Sequence, residues 1–414
     1  MAGAAGFEPA NADTKNRCLT TWPRPNLRRK IRPSGLTRKG ALTLVRSSME
    51  LTVSDKNKTD NLMGVAMKAV VFLGDRKIEF MEFPDPTPGP GEAVIEIKAS
   101  GMCGSDLKMY RAKGGAAALG LVGDGSPLVG GHEPCGMVAA VGEGVPEALA
   151  KIGDRVMDHH YSGCGVCKHC QEGWSQLCLD GATVYGATGH GAHAKYMKVP
   201  AHTLVKLPDT LSYKTGAAIS CGTGTAYGAL KRLDLAGDET IAIFGQGPVG
   251  LSATQLAKSM GARVIALDIG DERLELAKQF GADEIIDPGE NDVVEAIRSL
   301  THGEGAHKSL DCSSSSEARR AAVQCVRTWG TACFVGEGGD VTIDVSNDML
   351  RRQVTVVGSW TFSKSGQADC AEFVAERGID VDALFTHEFA LNQAIEAYEL
   401  FDTQTTGKGV FLMD

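Results

Sequence analysis

Thr240-Ile-Ala-Ile-Phe-Gly-Gln-Gly-Pro-Val-Gly-Leu251, followed by Arg263-Val-Ile-Ala-Leu-Asp268, decides the fold class. Residues 241–244 are a short apolar run suited to a buried parallel strand, and Gly245, Gly247 and Gly250 follow it with GxGxxG spacing. The context makes the triplet informative. Val249, Ala253, Leu256, Ala257 and Met260 then put apolar groups on one helical face, so the glycines sit between a strand and a helix. In such a turn Gly245 permits the tight bend, Gly247 lets backbone approach a pyrophosphate, and Gly250 lets helix and strand pack closely. Pro248 and Val249 head the helix, whose N-terminal N–H groups and positive dipole end favour phosphate. Asp268 closes the next strand, where a carboxylate accepts hydrogen bonds from a ribose 2′-hydroxyl and repels a 2′-phosphate. The expected cofactor is therefore NAD rather than NADP, a preference softened by Arg273.

Outward from this stretch, strand-like segments at 263–268, 284–286, 308–312, 331–335 and 354–360 alternate with helix-like segments at 272–280, 292–300 and 318–326. Six strands with crossover helices predict a doubly wound parallel sheet that binds ligand at its carboxyl edge. The run Ser313 to Ser316 reads as a loop after the fourth strand.

The chain before it has another character. Residues 68–72, 93–98, 137–141, 155–158 and 195–199 read as strands between Gly and Pro turns, which predicts a mostly β domain. Within it Cys164, Cys167, Cys170 and Cys178 lie two, two and seven residues apart. Four thiolates in so short a lobe close a tetrahedron around one zinc and leave no position open, the mark of a structural site. The competing reading is a pair of disulfides or four free thiols. His169 lies inside the array but is not needed as a ligand.

Gly101-Met-Cys-Gly-Ser-Asp106, Gly131-His-Glu133, Gly153-Asp-Arg-Val156 and Ala218-Ile-Ser-Cys-Gly222 occur in this order. With them the chain, from about Met67 to its end, resembles the zinc-containing alcohol dehydrogenases of the medium-chain dehydrogenase/reductase superfamily. The resemblance implies a GroES-like catalytic domain over residues 67–222, a Rossmann domain over 223–360, and a return of 361–414 to the first domain, with the active site in the cleft. It implies that Cys103, His132 and Cys221 hold a catalytic zinc, that Glu133 stands behind it as an exchangeable ligand, and that Asp106 holds the ligating histidine. Two thiolates and an imidazole suit Zn²⁺, and an open fourth position is what a catalytic site needs. It further implies that Ser105 accepts the alcohol proton, that backbone near Val335, Glu337 and Ser359 faces the nicotinamide amide, and that the protein is a homodimer or homotetramer. Two positions depart from some relatives. Lys108 stands where they end the proton relay with histidine, and a lysine with a pKa of about 10.4 is a poor acceptor at neutral pH. Gly104 stands where some carry a pyrophosphate-binding arginine.

The expected reaction is hydride transfer between an alcohol and NAD with two zinc ions per chain. Alternatives are a polyol or threonine-type dehydrogenase of the same superfamily, whose members often carry glutamate at the position of Cys221, and a non-catalytic zinc- and NAD-binding regulatory protein. The latter has no use for Cys103, Ser105, His132 and Cys221 together. The glycine- and alanine-rich residues 114–127 read as a loop over the site.

Composition sets outer bounds. With 414 residues and 43% hydrophobic content the chain can bury two or three domain cores. A net charge of −9 argues against nucleic acid or anionic membrane as a general partner, and no apolar run approaches the ~18 residues of a membrane span. Twelve cysteines without a secretory signal point to a reducing compartment, the cytoplasm. Residues 1–50 hold ten Lys or Arg against three acids and show no period, so residues 1–66 are set apart from the fold as a disordered or misassigned extension. On the second view the natural start is Met49, Met63 or Met67.

Overall fold

The computed structural model describes residues 66–114, 126–404 and 407–413. The expectations for residues 1–65, and for most of the loop at 114–127, lie outside them. The described chain opens with the hairpin β1 (Ala66–Gly74) and β2 (Lys77–Pro84). There follow β3 (Glu92–Gly101), β4 (Glu133–Val141), β5 (Arg155–Asp158), β6 (Tyr161–Ser162), β7 (Thr183–Val184), β8 (Tyr196–Pro200) and β9 (Leu204–Lys206). The long β3 is the spine of this region. It pairs antiparallel with both β4 and β8, and Ala93, Val94, Ile95, Ile97 and Ala99 on it are all buried. A strand flanked on both sides and covered on both faces can carry a near-continuous apolar run, which is how this stretch reads.

The next six strands are β10 (Thr240–Phe244), β11 (Arg263–Leu267), β12 (Glu284–Ile286), β13 (Ala306–Asp311), β14 (Val326–Phe334) and β15 (Thr355–Gly358). All pairings among them are parallel, in the order β12-β11-β10-β13-β14-β15. The first strand in the chain therefore lies centrally and the order reverses between β10 and β13. Such a switch point opens a crevice at the strands' carboxyl ends. Every residue of β10 is buried, and helix Pro248–Ser259 packs back against the sheet. Proline suits the first turn because its missing N–H would be unpaired there anyway. Gly245 has φ +87°, and a Cβ on Gly250 would stand 1.8 Å from the Gly245 carbonyl oxygen. The strand-to-helix turn can therefore close only with glycine at both places.

Residues past β15 return to the first region. Helix Lys364–Arg377 starts on a Ser363 cap that accepts from Gly366 N–H, and stops at Gly378 in the left-handed conformation. Strands β16 (Phe385–Ala390) and β17 (Lys408–Leu412) then join the first sheet, β17 pairing with β3. These strands and β2 are not among the strands that the sequence predicts.

Candidate active site

Among the described residues, two groups of side chains able to ligate a metal come together. The sulfurs of Cys164, Cys167, Cys170 and Cys178 form one, and Cys103, His132, Glu133 and Cys221 form the other; in each, the ligand atoms lie within 4.8 Å of one another. The second group is drawn from the loop after β3, the start of β4 and the turn between helices Tyr213–Ile219 and Gly222–Arg232. Its geometry can be tested against zinc. Two sulfurs each ~2.3 Å from a tetrahedral ion must stand ~3.8 Å apart. Cys103 Sγ and Cys221 Sγ stand 3.8 Å apart. In the first group Cys164 N–H donates to Cys178 Sγ at 3.2 Å and Cys167 N–H to Cys164 Sγ at 3.3 Å, the acceptor role expected of thiolates. Both sets of donors fit zinc.

The surroundings of the second group fix its protonation. Asp106 is fully buried and takes His132 Nδ1–H at 2.7 Å and Cys103 N–H at 2.9 Å, so one carboxylate orients two candidate ligands and turns His132 Nε2 toward the cluster. Burial opposes a charged His132, but Asp106 and the Cys103 thiolate together raise its pKa well above the ordinary value. Hydrogen bonding from Cys221 holds Cys103 well below the usual thiol range, and the same bond pushes Cys221 well above it. Adjacent thiolates repel, so one sulfur keeps its proton until a cation arrives. The Ser105 hydroxyl reaches His132 Nε2 at 3.1 Å and Cys103 Sγ at 3.3 Å, which puts it beside the point where the ligands converge.

Behind the cluster lies a buried pair that sequence reading missed. Lys408 Nζ stands 2.5 Å from Glu133 Oε2 and donates to the Met102 carbonyl at 3.1 Å. Burial raises Glu133 to about 8, and Glu133 in turn raises Lys408 against its own burial. Nothing in the local sequence marks Lys408, because its partner lies far back in the chain on β4, which only β3 separates from β17 in the sheet. Asp106 likewise has a distant neighbour. Tyr398 donates to Asp106 Oδ2 at 3.3 Å, His193 Nε2 meets the Tyr398 oxygen at 2.7 Å, and Ser100 Oγ meets His193 Nδ1 at 2.8 Å. Because an ionised Asp106 can only accept, Tyr398 donates to it, His193 donates to Tyr398, and Ser100 donates to His193.

A cavity of about 1240 Å³ runs from this cluster to the carboxyl edge of the parallel sheet. Gly245, Gly247, Pro248, Val249, Asp268, Arg273, Val335 and Glu337 line it, together with Cys103, Ser105, His132, Glu133 and Cys221. Gly250 packs beneath the turn instead. A Cβ on Gly247 would meet nothing within 4 Å, so that backbone faces open space at the helix N-terminus, as a phosphate cradle requires. Asp268 accepts from Gln246 N–H at 2.6 Å and Gly270 N–H at 3.0 Å, with Arg273 Nη1 3.7 Å away. These groups fit a dinucleotide. Ser359 is not on the cavity: it is buried, and its N–H donates to the Phe334 carbonyl, while Trp360 and Thr361 form the wall there. Lys108 pairs with Glu337 at 3.0 Å across the cleft. His160 and Tyr161 also line the cavity, the His160 ring lying 5.1 Å from that of His132. The Asp-His-His-Tyr stretch just before the cysteine array was the available signal for them.

Comparison with known proteins agrees with this geometry. Residues 89–209 match the alcohol dehydrogenase GroES-like domain and residues 248–377 the zinc-binding dehydrogenase domain. An uncharacterised zinc-type alcohol dehydrogenase-like protein of Escherichia coli K12 is 38% identical over 83% of this chain and 98% of its own length. An alcohol dehydrogenase of Geobacillus stearothermophilus is 35% identical over 75% of this chain and 89% of its own. Among solved structures, an E. coli CFT073 protein described as a short chain alcohol dehydrogenase, complexed with NADH, is 25% identical. The match covers 84% of this chain and 100% of that one, with a TM-score of 0.75. The chain belongs to the zinc-type alcohol dehydrogenases of the medium-chain dehydrogenase/reductase superfamily.

Proposed function

We propose that the protein is a zinc-dependent oxidoreductase that moves a hydride between the carbinol carbon of a small alcohol and NAD. One observation carries the reading: a three-donor Cys103, His132, Cys221 cluster and a Gly247-headed helix N-terminus open into the same cavity. When bound by that cluster, zinc supplies Lewis acidity that lowers the pKa of a hydroxyl at its open position. NAD, when bound, supplies the hydride acceptor.

The chain's own groups do the rest. The glycine turn and the N-terminus of helix Pro248–Ser259 bind the pyrophosphate, and Asp268 accepts from the ribose hydroxyls, which favours NAD over NADP. Ser105 takes the substrate proton, since its hydroxyl already reaches two ligand atoms. Lys108 is tied up by Glu337 and half exposed, so the proton leaves Ser105 for solvent rather than through a basic side chain. The carboxylate of Asp106 holds His132 and Cys103 in place. The four-cysteine lobe holds a second, structural zinc. The thiols point to a cytoplasmic setting, and the subunit number is two or four.

The test is a spectrophotometric assay of zinc-replete enzyme with NAD and with NADP against primary alcohols, secondary alcohols, polyols and threonine. Reduced nicotinamide should form with NAD and a simple alcohol. Turnover of polyols or threonine alone would replace the substrate class, and no turnover of any would remove the enzymatic reading.

A further inference from the structure

Past the last strand of the parallel sheet, the backbone takes a shape that its sequence opposes. Thr361 has φ +54°. For a β-branched residue this is an outlier, because both Cβ substituents crowd the neighbouring backbone, and such a conformation lasts only where the surroundings enforce it. The restraints are visible. Gln176 Nε2 donates to Thr361 Oγ1 at 2.8 Å and to the Phe362 carbonyl at 2.9 Å, both bonds buried. Lys364 N–H donates to the Gly173 carbonyl at 2.8 Å, and Ser359 N–H to the Phe334 carbonyl at 3.0 Å. Gln176 sits on the short helix Ser175–Leu177, between Cys170 and Cys178 of the zinc lobe.

The restrained segment is the cavity wall. Trp360 and Thr361 both line it, and the Trp360 ring stands edge-on to Tyr161 at 5.8 Å. Tyr161 packs on His160 at 4.2 Å, and His160 lies 5.1 Å from His132. An unbroken row of rings thus joins the segment held by the lobe to a ligand of the reactive cluster.

We propose that Gln176 is a positioning residue for substrate: by holding Thr361 left-handed it fixes Trp360 and Tyr161 opposite the open face of the Cys103, His132, Cys221 cluster. The four-cysteine lobe thereby sets which alcohols fit. Without the two amide donors, Thr361 relaxes to negative φ and Trp360 moves off its place. Binding weakens while the reacting groups stay put, which raises KM more than it lowers kcat.

Gln176→Met keeps the length of the side chain and removes both donors. Its KM for the best alcohol should rise about tenfold, the equivalent of ~1.4 kcal/mol, with kcat changed less than about threefold and two zinc ions retained. Thr361→Gly supplies a second arm, because glycine takes positive φ without penalty. On that background Gln176→Met should move KM less than about threefold. A third readout needs no turnover: the share of tryptophan emission that Trp360→Phe removes should become more open to acrylamide quenching in Gln176→Met. The proposal rests on the alcohol reading only for its choice of substrate, so if no alcohol is oxidised the quenching arm still decides it. Unchanged KM and quenching in the zinc-loaded variant would overturn it, as would a raised KM with unchanged Trp360 quenching, since the wall would not have moved.

Discussion

Replacing Lys408 by methionine removes one half of a buried pair and leaves the other. The Lys408 side chain is 2% exposed and that of Glu133 0%, and Nζ stands 2.5 Å from Oε2. Removing one partner from such a pair costs ~3–5 kcal/mol, because the group left behind has lost both water and its counter-charge. Methionine nearly matches the lysine stem, so the loss is electrostatic rather than a cavity. The stranded Glu133 can keep its own proton, and the sign of the pH effect follows. Even beside Lys408, burial raises the folded Glu133 to about 8, and without that counter-charge it goes higher, so the variant keeps a proton where wild type has begun to lose it and its deficit grows as pH rises through about 8. Urea unfolding of metal-free Lys408→Met, followed by tryptophan fluorescence, should show a lower midpoint than metal-free wild type, with a larger deficit at pH 9 than at pH 7. Adding Glu133→Gln should restore at least ~2 kcal/mol relative to Lys408→Met alone, since an amide costs far less to bury than a charge. A single variant within ~1 kcal/mol of wild type, or a double variant no better than the single, would refute the reasoning.

Ser105→Ala should lose most turnover while keeping both zinc ions and NAD affinity; metal analysis and cofactor titration beside the activity assay check this, and unchanged turnover removes Ser105 from the proton path. Tyr398→Phe keeps the ring that packs on Phe72 at 4.9 Å but strips the acceptor from His193 Nε2, so it should cost ~1–3 kcal/mol in denaturant unfolding. Burial holds His159 down to about 4 from an ordinary 6.5, so the unfolded chain takes up a proton there first and stability falls as pH drops from 6.5 to 4. That single group contributes a loss of ~3 kcal/mol by pH 4 at 1.36 kcal/mol per unit, and His159→Gln should flatten the thermal-midpoint profile over that window.

What the sequence made legible were features whose causes are local. The glycine turn is forced by backbone contacts within a few residues, such as Gly250 against the Gly245 carbonyl. The Cys164, Cys167, Cys170, Cys178 array closes on itself within one short lobe. Alternation of buried runs and amphipathic helices likewise made all six parallel strands readable. The missed parts have partners far along the chain. Gln176 and Thr361 are 185 positions apart, and Asp106 and Tyr398 292 apart, so neither end carries a local mark of its role. Strand β2 alternates in Lys-Ile-Glu-Phe, but the adjacent Phe80 and Met81 break the period, and only its pairing with β1 fixes it as a strand. The family resemblance implies that backbone near Ser359 faces the nicotinamide; the Ser359 N–H is used by Phe334, and the residues one and two places on reach the cavity instead.

The most direct test is Cys103→Ala, with metal content and NADH formation measured on the same preparation. Zinc should fall from two per chain to one, the remaining ion held by the four-cysteine lobe, and alcohol-dependent absorbance at the reduced-nicotinamide wavelength should vanish. Retained turnover with one zinc bound would contradict a reaction centred on Cys103, His132 and Cys221, and loss of both ions would contradict two independent metal sites.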